Sequence, residues 1–151
     1  MGVFTWKRLW IFLGVLGVIG GGAFAAMMLP SGVLEGNPTA VPADWTGVEV
    51  PEIVQFETNP ADPYSVKIWA VPLGPNLYIH GGDNRARWVD HIEADPLVRM
   101  LVSDRLYDMS AVRVTDAAEF AAFSDAYESR YGRRPGNENV AEAYLFRLGA
   151  R

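Results

Sequence analysis

The chain has 151 residues, half of them apolar, which is enough for one domain with an ordinary hydrophobic core. It has no cysteine, so disulfides, thiolate metal sites and a cysteine nucleophile are excluded. From Pro30 to Arg151 it carries 11 basic and 18 acidic side chains, a net charge of −7. Because an acidic domain repels phosphate backbones, this balance argues against nucleic acid as a partner.

Residues 9–29 predict one membrane-spanning helix. They form an uncharged run of 21 residues, LWIFLGVLGVIGGGAFAAMML, and a helix of that length, rising about 1.5 Å per residue, crosses a hydrocarbon core. Lys7 and Arg8 precede the run, and no basic residue follows it before Lys67. The positive-inside rule therefore places residues 1–8 in the cytoplasm and the folded domain in the periplasm of a bacterium, anchored to the inner membrane.

The same residues can also be interpreted as a cleavable signal peptide, with Ala23-Phe24-Ala25 as the cleavage site. Apolar residues continue past that site to Leu29, which favours a retained anchor over a cleaved one. Either outcome leaves the domain on the same side of the membrane.

A retained helix would present a groove of small residues. Gly17, Gly21 and Ala25 are spaced four apart and so share one helix face, where the backbone of another helix can approach closely. We expect this face to dock against another integral membrane protein. Glycine is also common in membrane helices without any partner, so the spacing leaves that alternative open.

Residues 30–51 are predicted to be an extended linker. Proline and glycine recur throughout this stretch and interrupt any helical or strand period. The linker has few hydrophobic residues to bury, and Trp45 is the exception. We expect Trp45 to pack on the domain or to lie at the outer membrane interface, with a contact to a partner as the less favoured alternative.

Short apolar runs predict strands within residues 52–151, the expected domain. The runs are Ile53 to Phe56, Val66 to Val71, Leu77 to Ile79, Val98 to Val102, Leu106 to Val114 and Tyr144 to Leu148. The second and third runs should pair as a hairpin across a turn at Pro75-Asn76. The fourth and fifth should form another hairpin across Ser103-Asp104.

The first predicted helix of the domain is short. Trp88, Val89 and Ile92 lie at positions i, i+1 and i+4, which places their side chains on one helix face. The helix must end at Asp95-Pro96, because proline cannot continue it.

The second predicted helix is longer and has clear ends. Asp116 is its N-cap, with Glu119 three residues on as in a capping box, and Gly132 is its C-terminal stop. Its core-facing stripe consists of Phe120, Phe123, Tyr127 and Tyr131. Strands and two helices in this order, without βαβ alternation, predict an α+β domain with a mostly antiparallel sheet that can curl into a barrel.

Residues Leu77 to Leu101 resemble the deazaflavin-dependent nitroreductase family and its FMN-binding split-barrel relatives. The shared features are the Gly81-Gly82 turn after a strand, Trp88 and His91 in a short helix, and Ala94-Asp95-Pro96 before the next strand. The resemblance extends more weakly over residues 50–148. It implies a split-barrel fold and a site for FMN or a deazaflavin.

The resemblance also implies which residues hold the cofactor. The candidates are His80, Gly81, Gly82, Asn84, Arg85, Arg87 and Trp88. In this interpretation the glycines allow close backbone approach, the asparagine and the two arginines hold the phosphate-bearing tail, and the histidine faces the ring. The alternative is structural: an ordinary glycine turn, arginines paired with Asp83, Asp90 or Glu93, and a tryptophan in the core.

Two observations argue against cofactor binding. Relatives place a basic, glycine-containing turn between the first strands, whereas residues 56–63 of this chain include Glu57 and Asp62, whose charge would repel a phosphate. A periplasmic domain would also be separated from the cytoplasmic pool of reduced flavin or deazaflavin. No metal is expected, since His80 and His91 are the only histidines and lack a ligand spacing, and no serine triad motif occurs.

The sequence therefore supports two functional hypotheses. The first is a single-pass accessory subunit of an inner-membrane complex, such as an energy-transducing one, that has lost cofactor binding and is not an enzyme. The second is a membrane-bound flavin- or deazaflavin-dependent oxidoreductase that reduces a quinone or a nitro-like substrate.

Overall fold

The computed structural model describes residues 32–82 and 85–151. The described elements are β1 (Asn37–Thr39), β2 (Ile53–Thr58), β3 (Tyr64–Leu73), β4 (Asn76–His80), α1 (Arg87–Ala94), β5 (Leu97–Val102), β6 (Arg105–Arg113), α2 (Ala117–Tyr131) and β7 (Leu145–Ala150). The predicted membrane helix, with Gly17, Gly21 and Ala25, lies outside the described residues. Within the described ranges no helix is long and apolar enough to cross a membrane.

Six of the strands close into an antiparallel barrel in the order β6, β5, β2, β3, β4 and β7, with β7 paired back to β6. One edge of β6 is shared, since β1 runs parallel to its first half, with Asn37 opposite Arg105, and β7 pairs with its second half, with Met109 opposite Ala150. Closure gives each of the six strands two hydrogen-bonded neighbours. The predicted α+β class, with a mostly antiparallel sheet and two helices, is confirmed.

Both predicted hairpins are present. Val71 lies opposite Tyr78 in the β3–β4 pair, and Leu101 lies opposite Leu106 in the β5–β6 pair. The second turn is Ser103-Asp104 as predicted, but the first is Gly74-Pro75 and not Pro75-Asn76, because β4 already begins at Asn76.

The barrel interior forms the larger of two hydrophobic cores. Successive side chains of a strand point to opposite faces, so Ala70 of β3 faces this interior while its neighbour Val71 faces outward. The inward-facing side chains of all six strands meet there, and α1 contributes Trp88, Val89 and Ile92. The predicted apolar face of the short helix therefore packs into the barrel core.

The second core lies outside the barrel, under α2. Phe120, Phe123 and Tyr127 of α2 pack against Val71 of β3 and Tyr78 of β4. Where both faces of these two strands are covered, neighbouring residues are apolar on both sides, as at Ala70 and Val71 of β3 and at Leu77 to Ile79 of β4. The predicted stripe of the long helix is confirmed as its buried face.

The ends of α2 are also as predicted. The Asp116 carboxylate accepts a hydrogen bond of 2.7 Å from the Glu119 amide, and Gly132 ends the helix in the left-handed conformation at φ 73°. Glu119 does not complete a capping box. Its carboxylate instead accepts from the Tyr78 hydroxyl at 2.8 Å and from Arg147 at 2.5 Å, which ties the first turn of α2 to the sheet.

The segment predicted to be a linker packs on the barrel where the structure describes it. Trp45 is 2% exposed and lies edge-on to Tyr107, with ring centroids 5.4 Å apart, so it occupies the first of its predicted positions, against the domain. Leu34 and Val50 are buried as well. The segment is extended, yet it supplies β1 and part of the core, because β6 offers it a free backbone edge.

Candidate functional site

A cleft of about 350 Å³ opens on the outer side of the barrel, between β3, the end of β4 and α2. We call it the Trp69 cleft, after the aromatic side chain of β3 at its wall. Phe123 and Tyr127 of α2 contribute further aromatic surface, and Lys67 and Arg133 contribute positive charge. No carboxylate lines the cleft among the residues that the structure describes. Its volume lies in the range typical of small-molecule sites.

Four of the predicted site residues line this cleft, namely His80, Gly81, Gly82 and Trp88. The His80 ring lies 5.8 Å from the Phe123 ring, measured between centroids, and therefore sits where β4 meets α2. Trp88 is 5% exposed, so most of its side chain belongs to the barrel core and only an edge reaches the cleft.

The glycine turn that follows β4 is required by the packing around it. A Cβ atom on Gly81 would lie 3.0 Å from a methyl group of Val89 and 3.1 Å from Cβ of Tyr144, which is too close for a relaxed contact. Gly82 has φ +72°, a conformation that side-chain-bearing residues rarely adopt, and space for a Cβ is open there. Close packing explains the first glycine, and backbone conformation explains the second.

The two arginines that the resemblance implies as phosphate ligands do not line the cleft. Arg85 forms ion pairs with both Asp90 and Glu93 of α1, as the structural alternative predicted. The Arg87 guanidinium lies 5.0 Å from the centre of the Tyr64 ring. The remaining candidate, Asn84, lies outside the described residues.

The negative charge of Glu57, which was expected to repel a phosphate, is neutralised by an ion pair with Arg99. Its side chain is 4% exposed, and both of its carboxylate oxygens accept hydrogen bonds of 2.7 Å from Arg99. One oxygen also accepts a bond of 2.6 Å from the Leu34 amide. Since Glu57 lines a separate cavity and not the Trp69 cleft, its charge is no obstacle to an anion there.

Nine of the 13 lining residues were not recognised as site residues from the sequence, and among them Lys67, Trp69, Tyr127 and Arg133 supply both cations and much of the aromatic surface. Trp69 stacks on Tyr131 of α2, with ring centroids 4.5 Å apart and planes inclined by 14°, and the Arg133 guanidinium lies 4.9 Å from the centre of the Trp69 ring. The alternation of Lys67, Trp69 and Val71 along β3 puts them on one face. That face could have been matched to the aromatic stripe of α2.

The cleft is a positively charged patch on an acidic domain. Arg130 donates to the Val50 carbonyl at 2.5 Å, and Arg134 is surrounded by the carboxylates of Asp125, Glu128 and Glu138. Within the described ranges, by contrast, neither Lys67 nor Arg133 forms an ion pair. Their charges are therefore available to an anionic ligand.

Burial raises the pKa of the hydroxyls of Tyr78, Tyr127 and Tyr131 above the usual value of 10.0, and Arg133 partly offsets this at Tyr127. The folded chain therefore holds protons that the unfolded chain has released above about pH 10, so its stability should fall as the pH rises through that range. An absorbance titration should show these tyrosines ionising later in the folded chain than in urea. Tyr127→Phe should remove one of the ionisations that occur at higher pH in the folded chain. Folded and unfolded titration curves that coincide would contradict the prediction.

Solved structures share this architecture at low sequence identity. A candidate 5-nitroimidazole antibiotic resistance protein from Bacteroides thetaiotaomicron VPI-5482 is 12% identical, with a TM-score of 0.52, and the match covers 64% of this chain and 71% of that chain. A structure described as a domain-swapped dimer is 15% identical, also with a TM-score of 0.52, over 72% of this chain and 90% of that chain. Neither the family models nor the curated proteins gave a match. The likeness is one of fold, and it confirms the split-barrel fold that the sequence resemblance implied.

Proposed function

We propose that the domain binds a planar, anionic aromatic cofactor of the FMN or deazaflavin class in the Trp69 cleft and acts as an oxidoreductase. The observation that carries this proposal is an aromatic cleft with two cations that lack carboxylate partners among the described residues. A planar ring can stack on aromatic side chains, and a phosphate-bearing tail is attracted to exposed positive charge.

The residues of the cleft fit such a group in size and chemistry. A cavity of about 350 Å³ is large enough for a small planar molecule, and Trp69 and Tyr127 offer aromatic surface within it. Lys67 and Arg133 stand at the same cleft and can neutralise a phosphate. The Gly82 turn, with open space where a Cβ would be, lets backbone approach the ligand closely.

A flavin or deazaflavin bound in this cleft would supply two-electron redox chemistry. The chain's own side chains would orient the ring and control protons beside it. The Tyr127 hydroxyl is protonated at neutral pH, as any tyrosine is, and burial raises its pKa further, so it can donate a hydrogen bond into the cleft. His80, in the cleft wall, is the candidate for moving a proton to or from a substrate.

The substrate class follows from the same surroundings. Aromatic walls favour a flat, electron-poor acceptor, such as a nitroaromatic compound or a quinone. The structural neighbour from B. thetaiotaomicron carries a 5-nitroimidazole resistance description, which is consistent with the first of these. We propose nitro compounds and quinones as the acceptors to test.

A second candidate function is the accessory subunit of an inner-membrane complex. The observation that favours it is the state of Arg85, which is held by Asp90 and Glu93 and so has its charge compensated internally. In this case the domain binds no cofactor, and the predicted helix at residues 9–29 docks through Gly17, Gly21 and Ala25. This hypothesis depends on residues that the structure does not describe.

Titration of the full chain with FMN in mild detergent separates the two candidates. The oxidoreductase hypothesis predicts saturable quenching of tryptophan fluorescence and one added FMN mass by native mass spectrometry. Lys67→Glu should weaken FMN binding by about tenfold, since it replaces an attractive charge with a repulsive one. Arg105→Glu makes the same charge change at an exposed residue outside the cleft and should leave binding unchanged. A chain that is colourless when purified, does not bind FMN and co-migrates with larger membrane proteins would support the accessory-subunit hypothesis.

A further inference from the structure

We infer that Arg133 covers Trp69 in the free protein, is displaced when a ligand binds, and thereby makes the cleft select anionic ligands over neutral ones. The inference rests on the proposed function, because it takes the Trp69 cleft to be the ligand site. It concerns a residue for which neither the sequence patterns nor the family resemblance indicated a role.

The backbone on both sides of Arg133 is held in place. Gly132, at φ 73°, ends α2 and donates its amide to the Glu128 carbonyl at 2.8 Å, which turns the chain back toward the sheet. On the other side, Arg134 contacts three carboxylates at 2.7 to 3.0 Å, and Pro135 is buried. The position of the Arg133 backbone is therefore determined by its neighbours, while its own side chain is exposed.

The guanidinium of Arg133 lies over the aromatic ring that a planar ligand needs. It is 4.9 Å from the centre of the Trp69 ring, and Tyr131 stacks on the same ring at 4.5 Å. A ligand ring that stacks on Trp69 from the cleft must compete with this guanidinium. An exposed cation–π contact is weak, and within the described residues no carboxylate holds Arg133. Its side chain also hydrogen-bonds the Tyr127 hydroxyl, so a ligand that displaces Arg133 must replace that contact as well.

Displacement has different consequences for neutral and charged ligands. When a neutral ring displaces Arg133, the guanidinium loses its cation–π contact with Trp69 and gains no new partner. A ligand with a phosphate replaces the lost contact with a charge-assisted hydrogen bond to Arg133. The long side chain can reach the phosphate at the edge of the cleft while its backbone stays in place. Arg133 therefore adds to the preference for anionic ligands that Lys67 already gives the cleft.

FMN and riboflavin test this inference, because they share one ring system and differ by the phosphate. We expect the unmodified full chain in detergent to bind FMN about tenfold more tightly than riboflavin, the size of effect typical of one charge-assisted contact. In Arg133→Gln the ratio of the two dissociation constants should fall to about three, because the variant neither covers Trp69 with a charge nor pairs with phosphate, while Lys67 still attracts the phosphate. Arg133→Lys should keep part of the preference.

Arg134→Gln is the matched control. It removes the neighbouring arginine, which is already occupied by carboxylates, and should leave the FMN to riboflavin ratio unchanged. An unchanged ratio in Arg133→Gln, with both flavins still bound, would overturn the inference and leave the proposed function standing. An unmodified chain that binds neither flavin would overturn both. Thermal melts of the two Arg133 variants should coincide with that of the unmodified chain, since the Arg133 side chain is exposed.

Discussion

Glu57→Ala should lower the free energy of unfolding by about 3 kcal/mol, because it breaks a buried ion pair from one side. The substitution leaves the Arg99 guanidinium, which is 25% exposed, without its two carboxylate contacts. It also leaves the Leu34 amide without the acceptor that holds residues 32–51 against the barrel. Urea denaturation followed by circular dichroism measures the loss directly.

Two further variants distinguish this explanation from a general effect of losing a carboxylate. Asp108→Ala removes an acidic side chain that is 63% exposed and lies 3.9 Å from Arg151, and it should cost less than about 0.5 kcal/mol. Adding Arg99→Met to Glu57→Ala should recover part of the lost stability, because the unpaired charge is then gone. Equal losses in the Glu57 and Asp108 variants would show that the buried pair has no special role.

Trp69→Ala should weaken FMN binding by about thirtyfold, equivalent to roughly 2 kcal/mol of stacking free energy. Trp69 offers the largest aromatic surface of the cleft, and its position is held by stacking on Tyr131 at 4.5 Å. Tyr131 is itself oriented by hydrogen bonds of 3.0 and 3.1 Å from its hydroxyl to the carbonyls of Ala70 and Glu52. The ring is thus presented by a rigid support, which is what tight stacking of a ligand requires.

Trp69→Phe serves as the control for this substitution, because it keeps an aromatic face in the same place. It should retain most of the FMN affinity, and both variants should be compared by their melting temperatures so that a loss of packing is not mistaken for a loss of stacking. If the alanine variant folds and binds FMN as tightly as the unmodified chain, Trp69 is not the stacking surface and the cleft must be reassigned.

The barrel explains why the cleft is preorganised. Its walls come from β3 and β4, which are hydrogen-bonded to each other and covered on both faces, and from α2, which is fixed at one end by Glu119 and at the other by Gly132. A ligand entering the cleft meets side chains whose backbone positions are already determined. We infer that Arg133 is the side chain that moves when a ligand stacks on Trp69.

The amino-acid sequence by itself determined the features that depend on neighbours within a few residues. Asp116 and Gly132 mark the ends of α2, because a cap needs only the first or last turn of the helix. The hairpin at Ser103-Asp104 and the buried face of α1 follow from equally local patterns. The order of these elements was sufficient for the fold class. His80, Gly81, Gly82 and Trp88, which the family resemblance implies as site residues, line one cleft, and their role in binding stays a prediction.

Only the tertiary structure decided which distant residues meet. Glu57 and Arg99 are 42 residues apart and pair because β2 and β5 are neighbours in the barrel. Lys67, Trp69 and Arg133 line one cleft because α2 packs on the outer face of β3. Such contacts depend on strand register and helix placement, which are settled by the burial of the whole core and not by any short stretch of sequence.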